Sequence, residues 1–199
     1  MVNMIEYPEG ATPLDPDELQ GLKFPHVTTR GELDHLEQAN IQNGLRWLSR
    51  NKSTDILNDQ FARKLHLHLF GEVWSWAGIY RQTEKNIGVD PLQISVRLRQ
   101  LLDDVRYWVE NGTYTPIEAV IRFHHRLVYI HPFPNGNGRH ARVYADALLE
   151  KVCRTERIDW SGGYNLQQMN ERRHQYIHAL RAADGGDYGP LFYFAGIKY

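Results

Sequence analysis

Cysteine is almost missing from this chain. Cys153 stands alone, which excludes a disulfide within the chain and suits a reducing compartment. Excess charge of either sign is missing as well. The 23 basic and 24 acidic residues leave a formal net charge of -1, which argues against a general nucleic-acid or membrane-surface binder. No apolar run approaches the roughly 20 residues of a membrane span. Met1 to Gly21 has neither a basic stretch nor an apolar one, so no signal peptide is expected there. There is no internal repeat, no low-complexity tract and no Walker A loop. What is present fits one packed domain. The chain has 199 residues, 42% of them apolar and five of them tryptophan. A chain of that size can bury about 70% of its unfolded surface without a staple.

The pattern along the chain is helical. Residues 1–27 hold Pro8, Pro13, Pro16 and Pro25 in no regular period and read as an extended arm. Thr29-Arg-Gly-Glu32 is a capping box, in which the hydroxyl takes an orphan N–H and the glutamate reaches back. Leu33, Leu36, Asn40, Gly44 and Leu48 follow it at helical spacing. A second helix is expected from about Asn58 to Trp74. Tyr80 to Val89 reads as a short extended hairpin. Asp90-Pro91 starts a helix that stops at Asn111-Gly112, and Thr115-Pro-Ile-Glu118 caps another. Further helices are expected over Ala141–Val152, Leu166–Ala183 and Tyr188–Phe194. The aromatic stripe Tyr188, Phe192 and Phe194 should pack the last of these onto the bundle.

Between two of those helices lies His131-Pro-Phe-Pro-Asn-Gly-Asn-Gly-Arg-His-Ala-Arg142. Gly136 and Gly138 allow positive φ and a close backbone approach to a ligand. The free N–H groups of the helix that follows favour an anion. Arg139 and Arg142 are three apart and share a helix face, and each can fork onto phosphate oxygens. Two arginines behind such a turn imply more than one phosphate. His131 closes the preceding helix and suits proton abstraction from a hydroxyl. Phe133 should point inward and anchor the loop. A base on one side of a polyphosphate and positive charge on the other is the arrangement for in-line attack on phosphorus.

The segment resembles the signature of the Fic (filamentation induced by cAMP) family, His-x-Phe-x-(Asp/Glu)-Gly-Asn-Gly-Arg-x-x-Arg, and departs from it only at Asn135. Trp76-Ala-Gly-x-Tyr-Arg81, Ile87-Gly88, Ala179-Leu180 and Gly186-Asp187-Tyr-x-Pro190-Leu191 extend the resemblance over about residues 55–195. Glu37-Gln-Ala-Asn40-Ile is similar to the subgroup called mobile mystery protein B. The resemblance implies a mainly α fold, a Fic-type helical bundle with a small β-hairpin flap. It implies an arm over 1–27, an N-terminal helix over 28–54 packed on the core, and a Fic domain over 55–199. The implied activity is AMPylation: transfer of AMP from ATP, the co-substrate, to a Ser, Thr or Tyr hydroxyl of a target protein. His131 would be the base. Gly136, Asn137 and Gly138 would hold the α- and β-phosphates, Arg139 the β-phosphate and Arg142 the γ-phosphate. Ile87 and Gly88 would clamp the target by β-augmentation. Asn135 stands where the family has an acidic residue for Mg²⁺, and a neutral amide is a weaker ligand for that hard cation. A Fic/Doc-type phosphotransferase, whose branch also carries Asn there, and a non-catalytic nucleotide-binding regulatory module are the alternatives.

Glu37 is the candidate for the inhibitory glutamate of many Fic proteins, with Arg142 as its partner; the competing reading is a solvated helix residue. An antitoxin or other regulatory partner, no nucleic acid or membrane partner, and a bacterial, cytoplasmic setting complete the expectation. His124-His125 and His66-x-His68 invite a zinc reading, but their spacing is unlike common zinc motifs and a core or surface role is favoured. His140 is expected to be exposed beside the arginines, and the tryptophans to lie in the core.

Overall fold

The computed structural model describes residues 13–53, 55–160 and 171–197. Among the described residues eight α-helices follow one another: α1 Pro16–Leu19, α2 Arg30–Arg50, α3 Asp59–Phe70, α4 Ile94–Asn111, α5 Pro116–Ile130, α6 Asn137–Leu148, α7 Glu171–Asp184 and α8 Gly189–Phe194. A 3₁₀ turn, Pro91–Gln93, leads into α4, and a π turn, Leu149–Cys153, extends α6. The sequence explains most of the helix starts. Thr29 accepts from Glu32 N–H while the Glu32 carboxylate takes the Thr29 N–H, so the whole capping box forms. Asn58 accepts from Phe61 N–H at 2.8 Å. Thr115 accepts from Glu118 N–H, but the Glu118 side chain turns to Arg122 at 2.9 Å, so only half of that box is made. Gly112, at φ 62°, closes α4 in the left-handed conformation.

Helix α2 packs on α3, α4 on α5, α5 on α6 and α7 on α8. At the α2–α3 crossing a Cβ on Gly44 would come within 2.7 Å of the His68 carbonyl, so only glycine permits this approach. Asn40 completes the crossing: its Nδ2 donates to His68 C=O at 3.0 Å and its Oδ1 accepts Glu72 N–H at 2.8 Å. Both groups lie at the end of α3, where carbonyls and amides lack helical partners. The sixth helix is central. It presents Ala141, Ala145 and Ala147 with Tyr144 and Leu148, all buried, between α3 and α5. The amphipathic α5 buries Val120, Ile121, Phe123, Leu127 and Ile130, each contributing roughly 1.5–3 kcal/mol relative to exposure.

Several expectations need correction. Tyr80–Val89 forms no strand pair among the described residues. Its two ends bond away from each other: Arg81 N–H donates to Pro132 C=O at 3.0 Å and Val89 N–H to Ile130 C=O at 3.3 Å. The Arg81 side chain fills the loop between them, donating to the carbonyls of Thr83, Val89 and His131. The flap is therefore an irregular loop closed on a buried guanidinium. The arm is not extended throughout its described part, because Asp15-Pro16-Asp17-Glu18 makes a capping box and one helical turn. Helix α3 ends at Phe70 rather than Trp74, and α6 begins at Asn137 rather than Ala141. The expected start of α7 at Leu166 lies outside the described residues.

Candidate active site

His131 ends α5 in the left-handed conformation, at φ 53° and ψ 61°. A non-glycine residue there costs about 1 kcal/mol or more, and Pro132 behind it blocks any helical continuation. The turn is held open by Arg81, whose Nε donates to His131 C=O at 2.7 Å. Phe133 is fully buried and stacks on His66 with ring centroids 3.8 Å apart. His66 in turn accepts Gly78 N–H on Nδ1 at 3.0 Å and donates from Nε2 to Asn135 C=O at 3.0 Å. His140 lies beside it and donates to Ala62 C=O at 2.9 Å. His140 is thus fully buried, not exposed as expected: the helix begins four residues earlier and turns that position into the core. Burial holds His66 well below the usual imidazole pKa and His140 down to about 4, so both are neutral supports of the loop.

The loop then enters α6 through Gly136, at φ 78°, where a Cβ would strike the Phe70 ring at 2.7 Å. Gly138 differs from expectation. It sits in the first turn of α6 without positive φ, and a Cβ there would meet its nearest atoms at 3.6 Å, an ordinary contact. Its bareness leaves backbone facing the cleft. Asn137 does not aim its side chain at a ligand; it accepts Phe133 N–H at 2.9 Å and donates to Phe133 C=O at 2.7 Å, stapling the loop. No side chain caps the N-terminus of this twelve-residue helix. Its first N–H groups and the positive end of its dipole are directed at the space before it.

That space is a cleft of about 310 Å³. It brings together the candidate base, phosphate-binding, metal and flap positions: His131, Asn135, Gly136, Asn137, Gly138, Arg139, Arg142, Ile87 and Gly88. Three arginines not singled out, Arg30, Arg173 and Arg181, also line it, with Asp184 the one carboxylate among the lining residues. Burial, then the charge of Arg142, pushes Arg173 below its usual pKa, and an anion placed between them would relieve that repulsion. Spacing could have found Arg173: with Tyr176, Ile177, Leu180, Arg181 and Asp184 it forms one face of α7. Burial, helped by the Arg81 charge, lowers the His131 imidazole to about 4, so it is neutral and can accept a proton near pH 7.

Glu37 is not a solvated helix residue. It is 3% exposed, accepts Trp74 Nε1–H at 2.7 Å, and pairs with Arg139 at 2.5 Å. The expected partner, Arg142, instead lies against the Tyr176 ring. Burial alone would raise the Glu37 carboxyl, but the Arg139 charge and the hydrogen bonds from Arg139 and Trp74 outweigh it and hold the pKa below the usual value. A visible signal was passed over: Leu33, Glu37, Asn40, Gly44 and Leu48 form the buried stripe of α2. Asn135 Oδ1 accepts from Gly136 N–H at 2.6 Å and from Arg139 Nη2 at 3.3 Å. Beside Arg139, this neutral oxygen already serves two donors and is a poor fit for a divalent cation. No cluster of three or more His, Cys, Asp or Glu side chains able to hold a metal occurs among the described residues. The histidines that invited a zinc reading are core or surface groups: His124 is fully buried, and His125 pairs with Asp184 at 2.8 Å.

Residues 56–149 match the model of the Fic/DOC family. A curated relative, protein adenylyltransferase Fic of Nematostella vectensis, is 27% identical over 175 residues, 84% of this chain and 39% of the relative. Protein adenylyltransferase fic-1 of Caenorhabditis elegans is 28% identical over 86% of this chain and 33% of its own length. The chain thus spans well under half of these relatives. Among solved structures, Fic-1 (aa134 - 508) of C. elegans superposes with a TM-score of 0.67 at 24% identity, covering 88% of this chain and 51% of that one. BepC of Bartonella tribocorum, solved with bound AMPPNP, superposes at 0.69 with 17% identity, covering 97% and 95%. These likenesses establish the Fic helical fold.

Proposed function

We propose that this chain is a protein adenylyltransferase, moving AMP from ATP to a hydroxyl side chain of a target protein. The observation that carries the reading is convergence. A neutral imidazole, an uncapped helix N-terminus and Arg139 and Arg142 face one cleft. The curated relatives named protein adenylyltransferase, and the bound AMPPNP in BepC, support a nucleoside triphosphate as the ligand. In this reading the N–H groups of Asn137, Gly138 and Arg139 cradle phosphate oxygens, and the guanidinium groups of Arg139, Arg142 and Arg173 neutralise the polyphosphate. Val128, Ile177 and Leu180 give the base an apolar wall. His131 removes the target hydroxyl proton as that oxygen bonds to the α-phosphorus. The bond from the α-phosphorus to its bridging oxygen breaks, and pyrophosphate leaves. Magnesium, if it enters with the nucleotide, would be held by phosphate oxygens, because the Asn135 oxygen is engaged by Gly136 and Arg139.

ATP labelled at the α-phosphate tests the reading. Label should pass to protein and be lost in His131→Ala; label passing only from the γ-phosphate would establish phosphotransfer, and ATP binding with no transfer a regulatory module. Glu37 fits a restraint supplied in cis by α2. Phosphate can engage Arg139 fully only by displacing the Glu37 carboxylate. Glu37→Gln keeps a group for the Trp74 N–H and should tighten ATP binding about tenfold, the effect of ~1.4 kcal/mol. Unchanged ATP affinity would remove Glu37 from regulation.

A further inference from the structure

The arm reaches the flap by contacts separate from the cleft. Lys85, in the middle of the flap, has a side chain only 3% exposed. Its ammonium lies 2.7 Å from Asp15 Oδ2 and 2.5 Å from Glu18 Oε2, both in the arm. Thr83 Oγ donates to the same Asp15 oxygen at 2.6 Å. The arm is itself fixed to the segment after α3. Gly21 C=O accepts Ser75 N–H at 2.8 Å, Val73 C=O accepts Lys23 N–H at 2.9 Å, and Trp76 Nε1 donates to Glu18 C=O at 2.9 Å. Gly21 packs so tightly on Trp76 that a Cβ would lie 2.4 Å from Cδ1. Leu14, also in the arm, is buried and belongs to the hydrophobic core.

The flap therefore has two anchors. The inner one is Arg81, tied to His131 C=O, together with Val89 N–H on Ile130 C=O at the loop's end. The outer one is the ion cluster at Lys85. Residues 82–88 form no strand, so these anchors, rather than a ladder of backbone bonds, set the loop's shape. Ile87 and Gly88 follow Lys85 after a single residue, Asn86, and line the cleft, where a Cβ on Gly88 would lie 2.7 Å from the His131 Cβ. A lysine with a nearly buried side chain and two carboxylate partners is a strong tether, because removing both partners leaves a desolvated charge that must escape to water.

We propose that Lys85 is a positioning residue: clamped by Asp15 and Glu18, it makes the arm the outer support of the flap and holds Ile87 and Gly88 at the cleft mouth beside His131. Displacement of arm residues 13–22 then releases the flap. The idea that a released flap misplaces a target polypeptide rests on the adenylyltransferase reading; the anchoring does not.

The test needs no turnover. In the full chain, Asp15→Asn with Glu18→Gln leaves Lys85 without its anions, Lys85→Met removes the charge in a similar shape, and Lys85→Arg restores it. Brief acetylation should modify Lys85 at least tenfold faster in the Asn/Gln variant than in the wild type, relative to exposed Lys64. Amide exchange in a peptide spanning 81–89 should speed up in the Asn/Gln and Met variants and return to the wild-type rate in Lys85→Arg. Peptides from α6 report global unfolding and should stay unchanged. Wild-type acetylation of Lys85 in the Asn/Gln variant, with wild-type flap exchange in both the Asn/Gln and Met variants, would overturn the proposal, as would equal loosening of α6. If wild-type protein transfers AMP, the neutral variants should keep ATP affinity within threefold and lose transfer at least tenfold. Absence of any transfer with a loosened flap would refute the enzyme and leave the anchor standing.

Discussion

Mild acid should weaken this fold through the histidines that surround the loop. Burial lowers His124 to about 3, and His131 and His140 to about 4, against 6.5 in an unfolded chain. Below pH 6.5 the unfolded chain takes up protons that the folded chain refuses, so the stability these groups confer is full above that pH and lost as it falls toward 4. Between about pH 7.5 and about pH 5.5 each of the three costs somewhat more than ~1 kcal/mol. His66 acts in the same direction. Asp146 opposes them: burial raises it to about 6, so the folded state gains its proton first and recovers a little under ~1 kcal/mol. The net loss is about 3 kcal/mol, which for a chain of this size lowers Tm by roughly 6–12 °C. Thermal unfolding followed by circular dichroism at the two pH values measures it. His140→Gln, which can still donate to Ala62 C=O but cannot titrate, should shrink the drop by about two fifths. A wild-type drop under about 2 °C, or a His140→Gln drop equal to it, would refute the argument.

The two glycines of the loop should behave differently. Gly136→Ala meets both a left-handed φ and the Phe70 ring and should cost about 2–4 kcal/mol in a denaturant titration. Gly138→Ala should fold with a loss under about 1 kcal/mol, yet weaken ATP binding at least about tenfold by titration calorimetry, since its methyl enters the cleft beside α6. Arg81→Ala strands three carbonyls, including that of His131, and should cost about 3 kcal/mol or more in stability. Asn135→Asp adds a carboxylate beside Arg139 in competition with Glu37; ATP affinity should then rise with added magnesium and fall again with chelator, a response smaller or absent in the native chain.

The helical framework was legible because its signals are local. Thr29–Glu32, Asn58, Asp90-Pro91 and Thr115-Pro116 each bring their own hydrogen-bond partner within three residues. The motif was legible for the same reason: the turn at His131, the Gly136 entry and the arginine face of α6 lie within twelve residues. Harder to read were groups whose partners are distant in sequence. Arg81 satisfies three carbonyls, and one of them, on His131, is fifty positions away. Glu37 meets Arg139 across a separation of 102. Polar residues at the middle of Tyr80–Val89 suggested a hairpin turn, but a buried guanidinium inside the loop offered its carbonyls a better partner than a facing strand. His140 was misplaced because the helix start was set four residues late, enough to rotate that side chain from the core to the surface.

The loop also carries two neighbouring Asn-Gly steps with different chemical lifetimes. Such a step ages when the glycine nitrogen attacks the asparagine side-chain carbonyl, expels ammonia and leaves an imide that water opens to an acid. At Asn137 the amide is clamped at both ends to Phe133 and is 3% exposed, so ring closure requires the loop to melt. At Asn135 the Gly136 nitrogen already lies 2.6 Å from Oδ1, and the Arg139 guanidinium, 3.3 Å away, polarises that carbonyl. Stored protein should therefore acquire its new negative charge at residue 135 before residue 137. Fresh and old preparations would then differ in charge right beside Arg139, and charge-resolved mass spectra should accompany any measurement of nucleotide affinity.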